Sequence, residues 1–235
     1  MNPIVTNWMA SHGLILAPDQ VFPVHLPRTP RRALYALCEQ LRLDKGAEIG
    51  VLRGLNSKAM LEANPRLSLL CVDPWKAYDA YHDYRRQTKM DAFHTEARAN
   101  LAPFNGRVAI VREYSDRAVR GVPADALDFA YIDGNHIFDA AIVDIVEWSK
   151  RVRPGGLVAV HDYYRPKARH MQVADAVDAY LKAHRITEWF TVGGDCEEDN
   201  KIPPSAVWFK PEPLPFPEKQ PEGQMPAVPE VKAAV

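Results

Sequence analysis

Apolar residues fall along this chain in two rhythms: short unbroken runs, and longer stretches where apolar positions recur every three or four residues. The first rhythm marks strands buried on both faces, and the second marks amphipathic helices. Thr29 and Pro30 give a helix start, and Ala33, Leu34, Ala36, Leu37, Cys38 and Leu41 continue its stripe. Five predicted strands follow. They lead into AEIGVLRGLNS (Ala47 to Ser57), LSLLCVDPW (Leu67 to Trp75), RVAIVREYSD, ALDFAYIDGNH and GGLVAVHDYY. After the fourth, Phe138, Ala141, Ile142, Ile145, Val146 and Ser149 share one helix face. That helix is predicted to end near Arg153, with Pro154, Gly155 and Gly156 turning the chain into the fifth strand. A helix over about Gln172 to His184 precedes EWFTVG and SAVWFK, read as two closing strands. Strands alternating with helices imply an α/β fold, a doubly wound parallel sheet with helices on both faces.

This pattern divides the chain in three. Residues 1–29 mix Trp8, His12, Pro18 and Pro23 without clear periodicity and are read as an N-terminal extension. Residues 30–210 form one domain. Residues 211–235, dense in proline, are read as a disordered tail.

The strand ends carry the polar residues. Glu48 closes the first run, and the turn behind it reads E-x-G-x-x-x-G through Gly50 and Gly54. A dinucleotide turn reads G-x-G-x-x-G and offers backbone N–H groups to a pyrophosphate. A carboxylate in that place suits a cationic or amine-bearing ligand instead. Asp73 ends the second run about twenty residues on, where a carboxylate can chelate a ribose. The third run ends at Glu113 to Asp116, the fourth at Asp133 to His136, the fifth at His161 and Asp162. Any one acid could be a helix cap, but five polar strand ends on one edge of a parallel sheet describe a ligand site.

Composition narrows the class. The chain has 235 residues, 47% hydrophobic, enough for one substantial core. A formal net charge of -1 leaves no overall basic field for nucleic acid. Cys38, Cys71 and Cys196 lie far apart, without the spacing of a disulfide framework or structural zinc. With neither a signal segment nor a bilayer-length apolar run, a cytoplasmic protein without a membrane partner is expected.

AEIGVLRGLNS, CVDPW, YIDGNHIFDAAIVDIVEW and RPGGLVAVHDYY together resemble the class I S-adenosylmethionine-dependent methyltransferases, in particular the small-molecule and sugar O-methyltransferase branch. The resemblance runs from about Ala47 to Lys210. It implies a Rossmann-like sheet of seven strands, order 3-2-1-4-5-7-6, with strand 7 antiparallel. It also implies S-adenosyl-L-methionine as cofactor: Glu48, Gly50 and Gly54 around the methionine moiety, Asn56 and Ser57 at the helix start, Asp73 on the ribose, Trp75 at the adenosine, and Ser115 and Asp116 at the adenine amine. Leu52 departs from the pattern, standing where many relatives carry a middle glycine. By the same resemblance Asp133 and Asp162 match two carboxylates that flank a metal in metal-dependent relatives. His161 and Tyr163 depart there, leaving the third ligand out of its obvious place.

Two routes for deprotonating a hydroxyl acceptor stay open. Asp133 and Asp162 could hold a divalent cation such as Mg2+, or His136 or His161 could act as general base. KAYDAYHDYRRQTKMDAFHTEARANLAPF is long for a crossover, and Tyr78, Tyr81, His82, Tyr84, Arg85 and Arg86 make its first half a candidate lid over a small-molecule acceptor. Its second half, from about Lys89, reads as a helix. The alternatives are an NAD(P)-dependent oxidoreductase, disfavoured by the missing glycine fingerprint, and a protein that binds S-adenosylmethionine without catalysis. A nucleic-acid base methylase is disfavoured because the fourth strand ends in IDGNH. The sequence leaves room for a homo-oligomer.

Overall fold

The computed structural model describes residues 1–78, 85–165, 171–195 and 202–212. Among the described residues eight strands form one sheet, in the order β1-β7-β8-β6-β5-β2-β3-β4. They are β1 (Val24–His25), β2 (Lys45–Ile49), β3 (Ser68–Val72), β4 (Val108–Val111), β5 (Leu127–Ile132), β6 (Val152–Val160), β7 (Trp189–Val192) and β8 (Ser205–Phe209). β8 runs antiparallel to both β6 and β7, and the other pairings are parallel. From β2 to β8 this is the expected order. The eighth strand is the difference: β1, from the N-terminal extension, pairs with β7 at the sheet edge.

Helices cover both faces. α1 (Pro3–Ser11), α2 (Ala33–Gln40), α3 (Leu55–Ala63) and α4 (Gln87–Leu101) contribute to one apolar layer, which includes Trp8, Leu37, Met60 and Leu101. α6 (Phe138–Arg151) and α7 (Val173–Ala183) contribute to the other, with Ile145, Trp148 and Val177. A short α5 (Ser115–Ala118) follows β4. The extension is thus structured where no periodicity was visible. Its α1 has nine residues, too short to show a period, but Asn2 caps it by accepting from the Ile4 N–H, Pro3 sits in its first turn, and Val5, Trp8 and Met9 are buried.

One boundary also differs from expectation. α6 stops at Arg151, and Pro154 to Gly156 belong to β6 instead of a connecting turn. The ladder absorbs them as an irregularity opposite Leu127 and Phe129. Of the tail, only Pro211 and Glu212 are described, so the reading of 213–235 lies outside the described residues.

Candidate functional site

From β2 the chain steps outward through β3 and β4, then returns to β5 on the other side of β2. That reversal opens a crevice at the C-terminal ends of β2 and β5, the usual ligand site of an open parallel sheet. A cavity of about 770 Å³ lies there, in the size range of a small-molecule site. Glu48, Gly50, Asn56, Asp73, Ser115, Asp116, Asp133, His136, His161 and Asp162, all expected from the sequence, line it. Gly54, Ser57 and Trp75 do not, and each has a structural task.

Gly54 is the N-cap of α3 at φ 74°, and a Cβ there would press on the Ala97 backbone of α4 at 3.2 Å. Ser57 is fully buried and donates to Glu48 from behind. Trp75 is fully buried, and its indole N–H donates to the Leu52 carbonyl at 2.7 Å. It therefore buttresses the turn from beneath and does not line the cavity.

Asp73 also does something the sequence did not suggest. Its Oδ2 accepts the N–H groups of Val51 and Leu52 at 3.0 and 2.9 Å, and its Oδ1 accepts that of Trp75 at 2.7 Å. Burial raises its pKa while those three donors pull it back. The carboxylate therefore organises the glycine turn, and Oδ1, which accepts one N–H, keeps a lone pair for the cavity. Leu52 takes φ 49°, a left-handed backbone that glycine adopts without strain. Gly50, at φ 88°, is required by close packing: a Cβ would run into the Asp133 carbonyl.

Glu48 is 1% exposed. Its Oε1 accepts from Asn56 Nδ2 at 2.8 Å and its Oε2 accepts from Ser57, while Tyr35 donates to Asn56. Burial pushes its pKa up to about 8, opposed by those side-chain donors. A cationic ligand would restore its charge.

Beside the glycine turn, past the ends of β5 and β6, four side chains converge. His136 Nε2 lies 2.8 Å from Asp162 Oδ2. His161 Nδ1 lies 3.1 Å from Asp162 Oδ1 and 3.5 Å from Asp133 Oδ1, yet neither ring nitrogen makes a well-aligned hydrogen bond. Burial opposes a charge on His161, but Tyr131 and the carboxylates of Asp133 and Asp162 outweigh it and raise its pKa. Burial acts to raise the Asp162 pKa, and the two histidines more than reverse this, holding it below the usual carboxylate range. A histidine held cationic lacks the lone pair a general base needs. Asp162 sits at φ 60°, which turns its carboxylate back toward both imidazoles. Asp133, His136 and Asp162 each offer a donor atom, all within 4.8 Å of one another.

A family model described as a methyltransferase domain matches residues 47–163, the stretch that holds β2 to β6 and every strand end around this crevice. The chain belongs to the class I S-adenosylmethionine-dependent methyltransferase family. Solved structures share the fold of this methyltransferase. Cofactor-bound Rv0187 from MTB is 15% identical, with a TM-score of 0.56 over 91% of this chain and 92% of its own. The O-methyltransferase from Bacillus cereus, in complex with SAH, is 14% identical, with a TM-score of 0.54 over 88% and 90%. No curated protein matches the sequence.

Asp144 and Arg31 in the wall of the methyltransferase cavity, and Trp148 behind it, escaped the sequence reading. Asp144 on α6 is buried in the wall, accepts from Ser115, and has its pKa raised by burial to about 6. The Trp148 indole donates to the same Ser115 hydroxyl at 3.1 Å. Both occupy apolar-face positions of a helix, where the periodicity predicts packing. Arg31, half-buried before α2, also lines the wall. Of the candidate lid, Tyr78 lines the cavity and Arg85 and Arg86 are exposed, while Tyr81, His82 and Tyr84 lie outside the described residues. Among the described residues, no helix is long and apolar enough to cross a membrane.

Proposed function

We propose that this methyltransferase moves the methyl group of S-adenosylmethionine to a hydroxyl of a small molecule, with a divalent cation at Asp133, His136 and Asp162. The observation that carries this reading is the convergence of those three donors at one end of the crevice. Two carboxylates and an imidazole suit a hard or borderline divalent ion such as Mg2+ or Mn2+. His136 supplies the third donor that the sequence left out of its obvious place. Its Nδ1 rests 3.1 Å from the Met171 sulfur, and the Gln172 N–H donates to its backbone carbonyl at 2.8 Å. An N–H on Nδ1 directed at that sulfur leaves the Nε2 lone pair for the cluster.

When bound, such an ion lowers the pKa of an acceptor hydroxyl and fixes its orientation. The chain's own residues supply the rest. Asp133 and Asp162 hold negative charge at the transfer end, and His161 balances them from the buried side. The Asp73-bound turn fixes the donor's end of the path, and alignment of donor and acceptor supplies much of the acceleration of an in-line displacement.

The test uses labelled S-adenosylmethionine and a small-metabolite extract. Label should pass to a metabolite, stop in EDTA, and return with Mg2+ or Mn2+. Asp162→Asn keeps a side chain tolerated at positive φ and should abolish transfer and Mn2+ binding while sparing S-adenosylhomocysteine affinity. Full activity of metal-free protein in EDTA would remove the metal and return His136 as the base candidate.

A further inference from the structure

Arg31 brings a guanidinium to the cavity wall. It precedes α2, lines the cavity, and hydrogen bonds to Tyr131, the residue beside Glu48 across the β2 to β5 pairing. Tyr35 and Asp133 lie within its electrostatic reach, and Glu48 in turn feels its charge. Burial opposes the charge on Arg31, and these neighbours outweigh it, so the guanidinium stays cationic inside the wall. Another described cation of the wall, Arg53, is drawn to Glu96 at 2.8 Å in an exposed pair.

Glu48 and Arg31 therefore present an acid and a guanidinium at the same end of the crevice. That is the complement of an amino-acid head, whose ammonium and carboxylate leave one carbon in different directions. Guanidinium is the side chain best shaped for a carboxylate, since it donates two parallel hydrogen bonds. A simple alcohol or a neutral sugar offers no such zwitterion.

We propose that Arg31 is the carboxylate-binding residue of the cavity, receiving the α-carboxylate of the methyl donor while Glu48 faces the ammonium on the same carbon. This rests on S-adenosylmethionine being the donor. The residue contacts the cofactor and not the transferred methyl, so it sets which sulfonium compounds enter the site: those carrying an intact amino-acid end.

Calorimetry with two ligands separates this role from a structural one. S-Adenosylhomocysteine carries the carboxylate. 5′-Deoxy-5′-(3-aminopropylthio)adenosine keeps the adenosine, the thioether and the amine but lacks it. In Arg31→Met, S-adenosylhomocysteine should bind about 10- to 100-fold more weakly, the scale of a charge-assisted hydrogen bond, while the decarboxylated analogue binds within about twofold of its affinity for the unaltered protein. Arg31→Lys keeps the charge without the fork and should fall between for the first ligand only. It also serves if Arg31→Met fails to fold. Equal losses for both ligands would make Arg31 a structural counter-charge, and unchanged affinity for S-adenosylhomocysteine would remove it from the donor site. Either outcome overturns the proposal. If the unaltered protein binds neither ligand, the cofactor reading itself fails, a result distinct from both.

Discussion

Single residues here often serve the site through the backbone. Asp73 read as a ribose ligand, and its carboxylate also gathers the N–H groups of Val51 and Leu52 in the glycine turn and of Trp75 beyond β3. Asp73→Ala should weaken S-adenosylhomocysteine binding and also lower the stability of the ligand-free protein by about 1 to 3 kcal/mol, since buried donors lose their acceptor. A loss of affinity with an unchanged melting temperature would give the residue back to the ribose alone. Glu48 makes a pH-dependent claim. Its folded pKa of about 8 lies above the ordinary carboxylate value of 4.5, so the folded protein binds the extra proton between those values. Stability from that proton is complete below about 4.5 and is lost as pH rises through about 8. Glu48→Gln should therefore melt close to the unaltered protein at acid pH and increasingly above it as pH rises from 5 to 9. A parallel pair of melting curves would show Glu48 ionised throughout. If a cationic ligand head restores its charge, binding should release protons near pH 7, read by calorimetry in buffers of different ionisation enthalpy.

At the scale of elements, the strands that hold the site were legible because they are buried on both faces and end abruptly in acids. AEI before the turn, LLCVD and FAYID carry no helical period that could compete. The glycine turn was legible as a motif but not as a mechanism: Gly50 is there for the Asp133 carbonyl, a neighbour brought close only by pairing β2 with β5. Gly50→Ala should consequently destabilise the fold by several kcal/mol, whatever ligand is added. A near-native melting temperature would show that the strand ends can part. Leu52→Gly should change stability by less than about 1 kcal/mol, because relief of a left-handed backbone offsets lost side-chain packing. The elements that sequence missed are those whose partners are remote. β1 has two residues and no pattern of its own; only the edge of β7 makes it a strand. The cluster of Asp133, His136 and Asp162 was half legible, since His136 joins it only after the loop behind β5 folds back on Asp162.

Across the whole molecule, the sheet order could be inferred only by resemblance, because the hydrophobic rhythm says that strands are parallel but not which ones meet. The cavity at the order's reversal predicts what should stabilise the protein globally: S-adenosylhomocysteine at a hundred times its dissociation constant should add about 2.7 kcal/mol, and NAD should add nothing measurable. An equal shift with NAD would reopen the oxidoreductase reading. The edge strand has a further consequence, in time instead of space. His25 Nδ1 pairs with the Thr191 hydroxyl at 2.8 Å, a partner 166 residues further along the chain. At about 5 to 20 residues per second of synthesis, β1 leaves the ribosome roughly ten to thirty seconds before β7 exists to receive it. The segment made first is among the last to dock, and until it does β7 has one side bare.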